Sequence, residues 1–172
     1  MNTEEKSILF LSVIDNHKGI IYKIAFSYCK EPKDREDLIQ EIFIQLWKSF
    51  DGYNNQYKYS TWIYRIALNT AISFYRKETR RNKIANNLEY RYLTLDTHDD
   101  DIELDKNLET LYHLIHDLKE VDKAMMLLYL DEKSYQEIAE IMGYSETNVA
   151  TKISRIKKSL QNKFLLIKKY QP

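Results

Sequence analysis

The chain has 172 residues, 44% of them apolar, with three glycines and two prolines. That composition allows a real core, favours helices and argues against a turn-rich β protein. Its 26 basic and 26 acidic residues balance to zero formal charge, and the single cysteine, Cys29, excludes an intramolecular disulfide and suits a reducing cytoplasm. No apolar run is long enough to cross a bilayer, and the polar start MNTEEKS lacks a signal-peptide pattern, so a cytoplasmic protein is expected.

Residues 4 to 30 read as one or two amphipathic helices, through Ile8, Leu9, Leu11, Val13, Ile14, Ile20, Ile21, Ile24, Ala25 and Tyr28. Cys29 belongs to this stretch as a small core residue. Lys30-Glu31-Pro32 breaks the pattern. Asp34 is the expected N-cap of the next helix, with Asp37 in the place of a capping-box acid. That helix should run to about Phe50, placing Leu38, Ile42, Leu46 and Phe50 on one face, and end at Asp51-Gly52. A polar and aromatic loop, YNNQYKY, spans Tyr53 to Tyr59. Ser60 then caps a helix carrying Trp62, Ile63, Ile66, Ala67, Ala71 and Ile72 and ending in the basic run Arg76 to Lys83.

Residues 86–105 read as a linker with an acidic run, Asp96, Asp99, Asp100, Asp101, Glu103 and Asp105. Helical spacing returns at Leu108, Leu111, Leu114, Ile115 and Leu118, continues over 124–130, and leads into Ser134 to Leu160. No strand-period segment or internal repeat stands out. The expectation is an all-α chain of two small helical domains, 1–85 and 106–172, joined by a flexible acidic linker.

The segment SYQEIAEIMGYSETNVATKISRIKKSL has the pattern of a helix-turn-helix, whose second helix lies in the DNA major groove. Ala139 is small where the helices cross, Gly143 suits the turn, and Ser145 caps the second helix. Ile138, Met142, Val149, Ile153, Ile156 and Leu160 give each helix a buried stripe. The other face of the second helix carries Thr147, Asn148, Thr151, Lys152, Arg155 and Lys158, groups suited to phosphates and base edges. A plain helical hairpin with a solvated basic face has the same local pattern, so the rest of the chain decides between the two.

Charge segregation favours polyanion binding. Lys58, Arg65, Arg76, Lys77, Arg80, Arg81, Lys83 and Arg91 stand against only Glu78 and Glu89, and Lys152, Arg155, Lys157, Lys158, Lys163, Lys168 and Lys169 stand against no acid in 148–172. In DREDLIQEIFIQLW, Asp37, Gln40, Glu41 and Ile44 share a helical face beside the edges of Phe43 and Trp47. Exposed aromatics next to an acidic face suggest protein docking. In YNNQYKYSTWIYRIALN, Tyr53, Tyr57, Tyr59, Trp62 and Tyr64 interleave with Asn54, Asn55, Gln56, Lys58, Arg65 and Asn69. Single strands are held this way, with rings stacking on bases at about 1–3 kcal/mol each, amides reading edges and cations holding the backbone. Some of these rings belong to the core, Trp62 first among them.

DREDLIQEIFIQLWKSF, then STWIYRIALNTAISFYRK, then an acidic linker, then the helix-turn-helix, together resemble the extracytoplasmic-function (ECF) group of bacterial RNA polymerase sigma factors over nearly the whole chain. The resemblance implies that Asp37, Gln40, Glu41, Phe43 and Trp47 dock on the β′ clamp of the polymerase core. It implies that the loop Tyr53, Asn54, Asn55, Gln56, Tyr57, Lys58 and Tyr59 captures an extruded base of the minus-ten element. Ser60, Thr61, Trp62, Arg65 and Asn69 would face the melted strand, with Arg76, Lys77, Arg80 and Arg81 on phosphates. Ser145, Thr147, Asn148, Thr151, Lys152, Ser154, Arg155 and Lys158 would read the minus-thirty-five element. The β flap of the core and an anti-sigma protein are further implied partners, and the acidic linker would thread the RNA exit region. Ala150 and Lys152 stand where the family often has a base and an arginine, and YNNQYKY lacks the glycine and acid often found in that loop, so the family's base preferences do not carry over.

No Gly-rich phosphate loop, nucleophile triad or HExxH is present in the sequence. Glu109, His113 and His116 fall on one helical side, read as exposed surface groups rather than a metal site. The expected protein is therefore a non-enzymatic specificity subunit without metal, cofactor or small-molecule substrate. The competing readings are a helix-turn-helix regulator that acts without polymerase and a nucleic-acid enzyme such as a recombinase. The first leaves the 34–47 helix and the aromatic loop unexplained, and the second lacks a catalytic constellation.

Overall fold

The computed structural model describes residues 3–85 and 102–170. Most of the expected linker, including Asp96, Asp99, Asp100 and Asp101, lies outside the described residues. In order come α1 (Thr3–Tyr28), α2 (Pro32–Ser49), a 3-10 turn (Phe50–Gly52), α3 (Tyr59–Ala85), α4 (Ile102–His116), α5 (Glu120–Leu130), α6 (Tyr135–Met142) and α7 (Glu146–Tyr170). No strand occurs among the described residues.

The first three helices form one unit. Ile21, Ile24 and Ala25 of α1 meet Leu38, Ile42 and Leu46 of α2 and Ile63, Ala67, Leu68 and Ala71 of α3, all essentially without solvent exposure. The alanines let the helix axes approach closely. Arg35 clamps the α1–α2 corner. Its Nε donates to the Cys29 carbonyl at 3.1 Å, a second nitrogen donates to the Lys30 carbonyl, and the guanidinium lies 4.4 Å over the Phe26 ring.

The boundaries correct three expectations. Asp34 is not the cap of α2: the helix begins at Pro32 with Glu31 extended before it, and no side chain caps it. Proline at the first helical position needs no partner for an N–H it lacks, and its fixed φ is already helical. The third helix begins at Tyr59, one residue before the expected cap Ser60, and α4 begins at Ile102, inside the stretch read as linker.

Helices α4 to α7 form the second unit, around Leu114, Ala124, Met125, Leu128, Ile138, Ile141, Val149, Ile153, Ile156 and Leu160. The short α6 is fixed at both ends. Ser134 Oγ accepts from the Glu137 amide at 3.1 Å while the Ser134 amide donates to the Glu137 carboxylate at 2.8 Å. This capping box satisfies two amides that the helix leaves free and holds the Glu137 carboxyl below its usual range, chiefly through the backbone bond from Ser134. At the other end Gly143 is left-handed, with φ 74°, and the Gly143 and Tyr144 amides both reach the Ala139 carbonyl, at 2.9 and 3.2 Å.

The two units are docked, α5 and α6 lying against α3, with side chains of α1 reaching across as well. Tyr28 Oη donates to the Glu120 carbonyl. Lys23 and Tyr64 both donate to the Asp131 carboxylate. Arg76 Nε pairs with Glu120 Oε1 at 2.6 Å, and Arg65 donates to the Glu140 carbonyl. Lys123 of α5 fills the seam, 1% exposed, its Nζ 5.2 and 5.3 Å from the Tyr28 and Tyr75 ring centroids.

Truncating Leu46, which is fully buried, to Ala should cost about 3 kcal/mol in urea unfolding, whereas Ile44→Ala on the same helix, at a side chain 46% exposed, should cost under about 1 kcal/mol. Gly143→Ala meets no atom within 4 Å of the new Cβ, so its destabilisation should be only the left-handed backbone term of about 1–2 kcal/mol, read as a lower unfolding midpoint.

Candidate nucleic-acid interface

On α2, Asp37, Gln40 and Ile44 are exposed while Glu41, Phe43 and Trp47 are half-buried. Trp47 makes an edge-to-face pair with Phe10 at 5.1 Å, and Lys6 Nζ sits 4.4 Å over its ring while also pairing with Asp51 at 2.7 Å. Glu41 accepts from Gln45 at 2.7 Å. Asp37 and Glu41 form one wall of a groove of about 600 Å³ whose other wall is Asn69, Thr70, Ser73, Phe74 and Lys77 of α3. The structure thus places Asp37 and Glu41, expected from sequence to dock a protein, directly beside Asn69 and Lys77, expected to face nucleic acid, an adjacency that sequence spacing does not reveal.

The loop after the 3-10 turn is organised by its own side chains. The Tyr53 ring stacks on Tyr59 at 4.3 Å and 22°, and Tyr53 Oη donates to the Tyr57 carbonyl at 2.6 Å. Trp62 closes against Tyr53 at 5.4 Å and Phe50 at 6.0 Å. Asn54 Oδ1 accepts from the Gln56 amide at 3.1 Å, and Asn55 takes a left-handed φ of 58°, which asparagine tolerates better than most residues. The exposed tip is therefore Asn54, Asn55, Gln56 and Lys58, with Tyr53, Tyr57 and Tyr59 half-buried beneath it.

Arg65 lies 4.7 Å over the Tyr57 ring and also holds the Glu140 carbonyl. Ser60, Thr61 and Trp62 are half-buried and Asn69 is exposed. Tyr64, read from sequence among the interleaved rings, is buried and points at Asp131, with its phenol pKa raised chiefly by burial. Of the basic run, Arg76 is paired across the seam, Arg81 pairs with Glu78 at 3.1 Å, and Lys77 and Arg80 carry no ion pair in the described structure.

On the second unit, Thr147, Asn148, Thr151, Ser154, Arg155 and Lys158 are exposed along one side of α7, above buried Val149, Ile153 and Ile156. Ser145 Oγ accepts from the Asn148 amide at 3.2 Å, capping the helix whose first turns carry these groups. Lys152 is half-buried, its Nζ 5.7 Å over the Tyr144 ring.

Two features escaped the sequence. An apolar groove of about 500 Å³ opens between α4, α5 and α7, lined by Leu108, Leu111, Met126, Tyr129, Leu160 and Phe164; its residues were legible as helical stripes but their convergence was not. The seam around Lys123 left no local signal. His116 also departs from expectation: its ring is turned inward with Nε2 buried, and burial pushes its pKa down to about 4, while His113 stays outside, 3.9 Å from Glu109.

The chain matches the family descriptions "Sigma-70 region 2" over residues 13–81 and "Sigma-70, region 4" over residues 108–160. It is 28% identical to RNA polymerase sigma factor SigV of Bacillus subtilis over 154 residues, 89% of each chain. It is 30% identical to the ECF RNA polymerase sigma-E factor of Haemophilus influenzae over 143 residues, 76% of this chain and 74% of that one. The fold is similar to that of the sigma factor RpoE from Bartonella quintana, solved in complex with the anti-sigma factor NepR, at TM-score 0.66, 18% identity and coverage of 96% of this chain and 99% of that one. By two regional matches in the right order, and by a 30%-identical relative of that name matched over 76% of the chain, the chain belongs to the ECF RNA polymerase sigma factors.

Proposed function

We propose that the three surfaces divide the work of initiation, with residues 1–85 binding polymerase core and the minus-ten strand, 86–105 forming the connection, and 106–172 reading the minus-thirty-five duplex. Polymerase supplies the chemistry; the sigma family is one of transcription initiation factors. The exposed side of α2, with Asp37, Gln40 and Glu41 flanked by Phe43 and Trp47, docks on the β′ clamp. The apolar groove of α4, α5 and α7 receives the β flap. An anti-sigma protein, of the kind bound to the Bartonella relative, is the expected antagonist. A cytoplasmic site of action agrees with the absence of any helix among the described residues long and apolar enough to cross a membrane.

The observation that carries this reading is the preformed loop. Its amide tip is exposed and its tyrosines are already ordered by stacking and by the Tyr53–Tyr57 bond. Little conformational entropy then remains to be lost when a base enters. Trapping an unpaired nucleotide offsets part of the cost of melting, because unstacking one base and stacking it on a ring each amount to a few kcal/mol. Ser60, Thr61, Trp62, Arg65 and Asn69 continue that surface along α3, with Lys77 and Arg80 available to phosphates. On α7 the exposed hydroxyl, amide and cationic groups are spaced to enter a major groove.

Mixed with core polymerase, the full chain should direct run-off transcription from a genomic fragment library, and failure on every template would end this reading. Replacing Tyr57 and Tyr59 together by Ala should reduce open-complex formation about tenfold or more while changing duplex binding less than about twofold; equal effects on both would remove the strand-trapping role. Arg155→Ala with Lys158→Ala should weaken duplex binding and make its salt dependence shallower by about one unit of slope for each phosphate that the removed side chain neutralised, measured by fluorescence anisotropy over a salt series.

A further inference from the structure

Lys123 is the only charged residue among the buried side chains of the described structure, and its Nζ has no hydrogen-bond acceptor there. Its surroundings come from both units: Tyr28 and Tyr75 from α1 and α3 present their ring faces, and His116 on α4 adds a second buried nitrogen without a partner. Ring faces attract a cation but do not replace the hydrogen bonds an ammonium makes in water. The latches around it are polar contacts, two made by the buried Tyr28 and Tyr64 and two by ion pairs at the edge of the seam. Lys23 and Arg76 are about half-exposed where they meet Asp131 and Glu120, and such pairs contribute little each in water.

We infer that Lys123 keeps the docked arrangement shallow: burying its unpaired ammonium opposes the polar latches, so that the two helical units part readily and the lysine regains water when they do. A residue of similar length without charge would close the seam more firmly, because exchanging an unpaired buried charge for an apolar side chain removes a desolvation cost and leaves no orphan partner behind. The inference concerns the free chain. It draws on the proposed function only for the consequence that parting frees Arg65 and Arg76, now held by the Glu140 carbonyl and Glu120, for a nucleic-acid strand.

The charged and titratable groups facing Lys123 are Lys30 and Cys29 at the end of α1, Tyr28, Tyr75, Glu120 on its own helix, and Asp117 and His116 at the end of α4. Burial, the largest influence, brings the Lys123 pKa down from 10.5 to about 8 in the docked form. Below pH 8 the lysine is charged whether the units are docked or apart, and the full burial cost applies. Between pH 8 and 10.5 docking releases a proton, so the docked form gains as pH rises.

The test uses the full chain with Ser12→Cys and Asn162→Cys, both at exposed positions on α1 and α7, carrying a donor–acceptor dye pair for single-molecule energy transfer. Cys29, which faces Lys123 and is buried in the docked form, is replaced by Ala in every chain compared, so that only the introduced thiols carry dye. At about pH 7, Lys123→Met should raise the ratio of docked to parted molecules at least about tenfold. In the unsubstituted chain the same ratio should rise at least about tenfold between roughly pH 7 and 9.5, and in Lys123→Met it should stay within about twofold. A Lys123→Met chain no more docked than the original, or an equal pH response in both, overturns the inference. Should Lys123→Met fail to fold by circular dichroism, a flat titration of the unsubstituted chain overturns it alone. None of these readouts involves polymerase or DNA, so failure here and failure of the promoter-recognition reading are separable.

Discussion

Everything in this molecule leans on α3. One side of that helix, Ile63, Ala67, Leu68 and Ala71, is sealed against α1 and α2. Its neighbouring positions, Tyr64 and Arg65, reach the second unit, and its exposed positions, Asn69 and Lys77, line the groove shared with α2. A helix of 27 residues advances about 40 Å, enough to present successive turns to a loop, a groove and a partner unit without bending. The constraint is that its buried face must be narrow, and alanines at two central positions meet it by letting three helices converge without widening the apolar stripe.

Arg65 illustrates how tightly these duties are joined. The same guanidinium covers the ring of Tyr57 and binds the Glu140 carbonyl at the end of α6. The planar guanidinium can lie over the ring face while a nitrogen at its edge donates to the carbonyl. The order of the aromatic loop and the docking of the helix-turn-helix unit therefore share one side chain.

What the sequence revealed was local. The all-α class, the helix-turn-helix and its glycine turn follow from 3.6-residue periodicity and from caps, both of which act within a few residues. The apolar stripe Leu38, Ile42, Leu46 and Phe50 lies buried as its spacing implied. The Asp34 cap failed because Pro32 offered an equally satisfactory start, moving the cap position three residues earlier to Glu31. Tyr64 looked like its neighbouring rings, since tyrosine is equally at home stacking on a base and holding a distant carboxylate with its hydroxyl; only tertiary context separates the two. The seam was invisible for a simpler reason. Tyr28 and Glu120 are 92 residues apart, and no pattern within one helix announces which of its polar side chains will be shut away by another. The residue-level division of labour in the loop was legible as composition but not as roles, because the stacking of Tyr53 on Tyr59 joins two ends of a turn whose backbone path depends on the left-handed Asn55.

The chain has two tryptophans, and both lie in the first unit. Trp47 is wedged edge-on against Phe10 under an ammonium, and Trp62 is enclosed by the rings of Phe50 and Tyr53. Intrinsic indole emission is thus a spatially selective probe: one fluorophore sits on α2 and the other at the root of the aromatic loop, while the helix-turn-helix unit is spectrally silent above the tyrosine band. Quenching or a wavelength change in this protein reports events on its leading half, and single tryptophan-to-phenylalanine replacements would assign them to one surface or the other without any added label.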